Sequence, residues 1–149
     1  MSEHPIELLL VEDDSRDVEL TLLAFQDMKL ANNIHVARDG AEALEFVFAT
    51  DRYAGRDVDH GPRVVLLDLK LPKVDGLEVL RRIRSDPRTR TLPVVVLTSS
   101  NQERDVTEAY ALGVNSYIVK PVDFDRFAQA IRELGLYWMV LNEPPIEPR

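Results

Sequence analysis

Carboxylates collect at the ends of apolar runs in this 149-residue chain. Glu12 and Asp13 follow the run 6–11, which only Glu7 interrupts, and Asp68 follows the run 64–67. Thr98 comes after the run 93–97, and Lys120 after 116–119. Short apolar runs of this kind suit strands buried on both faces. In open α/β sheets, ligands bind beyond the carboxyl ends of the strands, where the winding direction reverses. If the first and third strands are neighbours, Glu12, Asp13 and Asp68 converge, and their charges repel unless a cation joins them. Oxygen donors without His or Cys suit a hard ion such as Mg²⁺. With a hydroxyl and an ammonium on the same rim, the set suits phosphoryl transfer. A carboxylate can attack phosphorus while cation and lysine neutralise charge on the equatorial oxygens. Taken singly, each residue has a plainer role as helix cap, strand end or solvated charge. The joint pattern carries the chemistry.

The elements that must position these groups alternate along the chain. Val18, Leu22, Phe25 and Met28 recur at helical spacing within 14–28, with Asp14 placed to start that helix. Ile34 and Val36 mark a second strand, and Asp39 with Glu42 marks the start of a second helix. Residues 50–62, with Gly55, Asp57, Asp59, Gly61 and Pro62, read as a polar surface loop without chemistry. Asp75 with Glu78 caps a helix ending near Asp86 and Pro87. Ser100 with Glu103 fits a capping box for a helix that stops at Gly113. Asp123 caps a last helix through Phe124, Phe127, Ile131 and Leu134. Five strand–helix units predict one α/β domain over 1–142 with a parallel sheet and right-handed crossovers, followed by a flexible tail over 143–149.

Composition narrows the function classes. The net charge of -8 disfavours non-specific nucleic-acid binding, which needs phosphate-neutralising Lys and Arg. Arg81, Arg82, Arg84, Arg88 and Arg90 form one basic cluster, read as a solvated helix face and the loop after it. The lack of cysteine excludes thiol nucleophiles and Cys-based metal sites. With no apolar stretch of membrane-spanning length and no signal-peptide pattern, the chain reads as cytoplasmic, with no membrane partner.

Five blocks carry a resemblance. They are Leu9-Leu-Val-Glu-Asp-Asp14, Leu66-Leu-Asp-Leu69 with Leu71-Pro72, Asp75-Gly76, Val95-Val-Leu-Thr98 and Tyr117-Ile-Val-Lys-Pro121. In this order they resemble the signature blocks of CheY-like receiver domains of two-component signalling, over about residues 6–135. The resemblance implies a flavodoxin-like, doubly wound (βα)5 fold with strand order 2-1-3-4-5. It implies a single-domain response regulator with Asp68 as phosphoacceptor. Glu12, Asp13, Asp68 and the backbone carbonyl of Lys70 would hold Mg²⁺. Lys120 would contact the phosphoryl oxygens, Thr98 would be the switch hydroxyl, and Tyr117 the aromatic that follows it. Such a protein catalyses only its own phosphotransfer and slow dephosphorylation, and its partner is a sensor histidine kinase. The long loop before the third strand, the run Leu97-Thr-Ser-Ser100 and the pair Tyr137-Trp138 resemble stand-alone regulators of phytochrome-type kinases. Relatives often carry Asn where this chain has Lys70, whose side chain is expected beside the phosphoryl site.

Two other classes compete. A receiver-like adaptor could act by protein binding without phosphorylation, although decayed versions usually lose one of Asp13, Asp68, Thr98 and Lys120. An aspartyl phosphatase on a similar fold would want Asp at Lys70, and an FMN site would want a Ser/Thr/Gly-rich loop in place of Glu12-Asp-Asp14. Finally, Leu136, Tyr137, Trp138, Met139, Val140 and Leu141 run on almost without a polar break, which predicts a homodimer through the C-terminal helix region.

Overall fold

Leu8–Val11 and Val64–Leu67 contain only Leu and Val, and every one of these side chains is buried. That is the signature of parallel strands covered by helices on both faces. The computed structural model describes residues 8–27, 34–120, 125 and 129, without the side chains of 24–27. Within it the order is β1 (Leu8–Val11), α1 (Ser15–Asp27), β2 (Ile34–Ala37), α2 (Gly40–Phe48), β3 (Val64–Leu67), α3 (Gly76–Ser85), β4 (Val94–Thr98), α4 (Glu103–Ala111) and β5 (Ser116–Val119). The sheet is parallel with strand order β2-β1-β3-β4-β5, as the resemblance implied. Among the described residues, no helix is long and apolar enough to cross a membrane.

Register decides what the strands deliver. Val11 pairs with Ala37 on one side and Leu67 on the other, so β1 and β3 end level. The ladder continues one residue past each end. Glu12 N–H donates to Ala37 O at 2.9 Å, Asp68 N–H to Val11 O at 3.1 Å, and Lys120 N–H to Thr98 O at 2.8 Å. The backbones that carry the acidic residues and the lysine are therefore pinned by the sheet itself.

Local signals explain most helix starts. Asp14 Oδ1 accepts from Asp17 N–H at 3.0 Å, Asp39 from Glu42 N–H, and Asp75 from Glu78 N–H. Gly76 opens α3 against the back of Asp68. A Cβ there would lie 2.3 Å from the Asp68 carbonyl oxygen and 2.6 Å from Leu69 Cα, so only glycine lets the helix approach.

Two expectations need correction. The capping box at Ser100 and Glu103 does not form: the N-cap of α4 is Gln102, with no side-chain cap bond. Ser100 Oγ donates instead to Asp105 Oδ2, a carboxylate buried on the inner face of α4. Residues 50–62 are more than a plain loop. They contain two short 3-10 turns, and Tyr53 OH donates to Glu42 Oε2 at 2.6 Å and lies 2.9 Å from His35 Nε2. The basic cluster is largely paired: Arg81 and Arg82 to Glu78, Arg88 to Asp86, and Arg84 to the carbonyls of Leu92 and Gly113. Met28, Pro121, the expected last helix from Asp123 to Leu134 apart from residues 125 and 129, the apolar run 136–141 and the tail 143–149 lie outside the described residues.

Candidate functional site

Asp68 sits at the centre of the rim with both carboxylate oxygens engaged. Thr98 Oγ1 donates to Oδ1 at 2.8 Å, and the N–H of Lys70 donates to the same oxygen at 3.2 Å. Lys120 Nζ donates to Oδ2 at 3.0 Å. Asp68 and Thr98 are buried, and Lys120 is mostly so. On the β1 side, Glu12 is buried while Asp13 faces solvent. Oxygens of Glu12, Asp13 and Asp68 all lie within 4.8 Å of one another. These three predicted ligands thus meet in space although 55 residues separate Asp13 from Asp68 in the chain.

The charge balance is tight. Burial pushes the Glu12 carboxyl up to about 7; Lys120 opposes this, and the charge of Asp68 adds to it. Burial also works against the Lys120 ammonium, but its bonds to Glu12, Asp17 and Asp68 outweigh burial and hold its pKa above the ordinary lysine value. Lys120 is therefore charged, and it stands among more negative charge than it can neutralise. A donor set made only of carboxylate oxygens, with surplus negative charge, fits a hard divalent cation.

The two residues expected to form a switch, Thr98 and Tyr117, are turned inward. Thr98 points at Asp68, and Tyr117 is buried with its hydroxyl donating to Ser100 O at 2.9 Å. The Lys70 ammonium leans toward α4, 3.9 Å from Asp105 Oδ2, and is well exposed. Three residues that the sequence reading missed join the site or its border. Asp17 accepts from Lys120 Nζ at 2.9 Å, and Ser100 and Asp105 connect Tyr117 to α4.

The sequence model of the response regulator receiver domain matches residues 8–132. The chain belongs to this family. Among curated receivers it is 41% identical over 144 residues to the probable methanogenesis regulatory protein FilR2 of Methanothrix harundinacea, covering 97% of this chain and 90% of that one. It is 34% identical over 138 residues to the response regulator Rcp1 of Synechocystis, covering 93% and 92%. Among solved receivers, the bacteriophytochrome response regulator AtBRR superposes with a TM-score of 0.82 at 52% identity, over 95% of this chain and all of that one. The Mn²⁺-bound form of Rcp1 gives 0.74 at 33% identity, over 97% and 100%. The phosphorylated cyanobacterial phytochrome response regulator RcpA gives 0.74 at 36%, over 92% and 95%. This receiver is thus similar over nearly its whole length to stand-alone regulators of the phytochrome type.

Proposed function

We propose that this receiver accepts a phosphoryl group on Asp68 from the phosphohistidine of a sensor histidine kinase of the phytochrome type. The observation that carries the reading is the convergence on one carboxylate of a hydroxyl, an ammonium and two further acids. In the transfer, an Asp68 oxygen forms the new O–P bond as the N–P bond of the donor breaks, and the departing imidazole takes up a proton. Lys120 lies where it meets the phosphoryl oxygens, and Thr98 is within reach to donate to one of them. Mg²⁺, held by Glu12, Asp13, Asp68 and the backbone carbonyl of Lys70, would neutralise charge on the phosphoryl oxygens. Similarity to a Mn²⁺-bound and to a phosphorylated receiver supports both parts.

Phosphorylation would then move the Thr98 hydroxyl from Asp68 to the phosphoryl group and so fix Tyr117 and α4 in place. A second reading draws on the inward Thr98 and Tyr117 of the unmodified chain. In it, the partner-binding surface forms without phosphate and the receiver acts as an adaptor. The test is incubation with a small acyl phosphate and Mg²⁺, read by intact mass. The wild type gains one phosphoryl group that chelation prevents, and Asp68→Asn gains none. Label retained in Asp68→Asn overturns the assignment. Undiminished binding of a downstream partner by Asp68→Asn would favour the adaptor.

A further inference from the structure

Lys120 has three N–H bonds to give and three carboxylates to receive them: Glu12, Asp17 at 2.9 Å and Asp68 at 3.0 Å. Two of these acceptors are also members of the group whose oxygens lie within 4.8 Å of one another. The third, Asp17, stands outside that group. A cation taken up by the cluster competes with Lys120 for Glu12 and Asp68 and repels its ammonium. It has no such claim on Asp17.

The backbone fixes Asp17 for this role. Its N–H donates to Asp14 Oδ1 at 3.0 Å as the first turn of α1 is capped. Its side chain then spans to a lysine 103 residues away. Asp17 is the most open of the three, with side-chain exposure of 36% against 3% for Glu12 and 9% for Asp68. It therefore meets Lys120 from the more open side of the site.

We propose that Asp17 is a positioning residue that anchors Lys120 on the α1 side of the cluster and beside Asp68, so that the ammonium can give up its bond to Glu12 when a divalent cation takes that carboxylate. The proposal rests on the reading of the cluster as a cation site. Without Asp17, Lys120 falls back on Glu12 and Asp68 and competes directly with the ion, so cation affinity drops.

The experiment is Mg²⁺ titration by calorimetry of the full chain as wild type, Asp17→Asn, Lys120→Met and the double variant. It is run at high ionic strength so that through-space effects of the Asp17 charge are screened. Asp17→Asn should bind Mg²⁺ about threefold to tenfold more weakly, less than a fully buried neighbour of a ligand would cost because the pair is partly exposed. Asp17→Glu, which retains the carboxylate, should restore part of the loss. In the Lys120→Met background the same Asp17→Asn change should alter affinity by less than about twofold, because there is no ammonium left to hold. Thermal unfolding of each variant under chelation checks that the fold is kept. Wild-type affinity in Asp17→Asn overturns the proposal and leaves the cation site standing. An undiminished effect in the Lys120→Met background also overturns it, since Asp17 would then act by charge alone. A wild type that binds no Mg²⁺ overturns both this proposal and the reading beneath it.

Discussion

His35 lies outside the acidic cluster, and its surroundings tie stability to pH. Its ring stacks on Phe46 with centroids 4.2 Å apart, and Nε2 lies 2.9 Å from Tyr53 OH. The Tyr53 proton goes to Glu42 Oε2, so His35 Nε2–H is the donor to the Tyr53 oxygen. Burial lowers the His35 pKa, Arg56 adds to this, and Glu42 on α2 opposes it without prevailing. The folded chain thus prefers the neutral ring. The associated stability is present above the unfolded value near 6.5 and is lost as pH falls through the lower folded value. His35→Phe keeps the stack and removes both titration and bond. At pH 8 the wild type should be more stable than His35→Phe by about 1 kcal/mol, the net worth of one hydrogen bond, and the gap should close as pH falls. Denaturant unfolding at several pH values reads this, and a gap that widens on acidification refutes it. At the same scale, these candidate site residues were legible because each occupies the first position after a readable strand: Glu12, Asp68 and Lys120 need only the ladder to place them. Tyr53, Asp17 and Asp105 were not. Their partners lie on other elements, at distances that only the packed chain defines.

Among elements, α4 is joined to the site by polar contacts rather than by a cap. Tyr117 on β5 donates to Ser100 O, and Ser100 donates to Asp105 on α4. Lys70, from the β3–α3 connection, stands 3.9 Å from the same carboxylate. The sequence pattern offered Ser100 a local partner three residues ahead. The buried Asp105 carboxylate won, because an unpaired buried charge costs more than an uncapped N–H exposed at a helix end. Tyr117→Phe removes the hydroxyl from this chain of contacts and keeps the ring in its pocket. It should cost about 1 kcal/mol in stability and raise amide exchange at the start of α4, while leaving Mg²⁺ affinity within about twofold of wild type. Hydrogen exchange followed by mass spectrometry is the measurement. Protection unchanged at residues 100–106 would show that the hydroxyl does not hold α4.

At the scale of the whole molecule, the fold was legible because its strands are written almost without polar residues. Val64–Leu67 and Val94–Thr98 form the middle of a sheet covered on both faces, and no other period fits them. Strand order was legible only through the family blocks, since hydrophobic pattern alone permits several windings. The expectation of a dimer rests on the run Leu136, Tyr137, Trp138, Met139, Val140 and Leu141, which follows Gly135 almost without a polar break. A receiver's core is filled by the strands and the helices packed on them, which leaves a lone domain little with which to cover six further apolar side chains. Tyr, Trp and Met are enriched at interfaces, and a two-fold pair is the commonest closed arrangement. The full chain should therefore sediment as a dimer at micromolar concentration, and a chain ending at Leu134 as a monomer. Because the fifth helix is the expected contact and β5 carries Tyr117, adding an acyl phosphate with Mg²⁺ should shift the dimer's dissociation constant in the wild type and not in Asp68→Asn. A full chain that remains monomeric at high micromolar concentration, with and without the phosphodonor, rules out the dimer and would mean that the run folds back on its own domain.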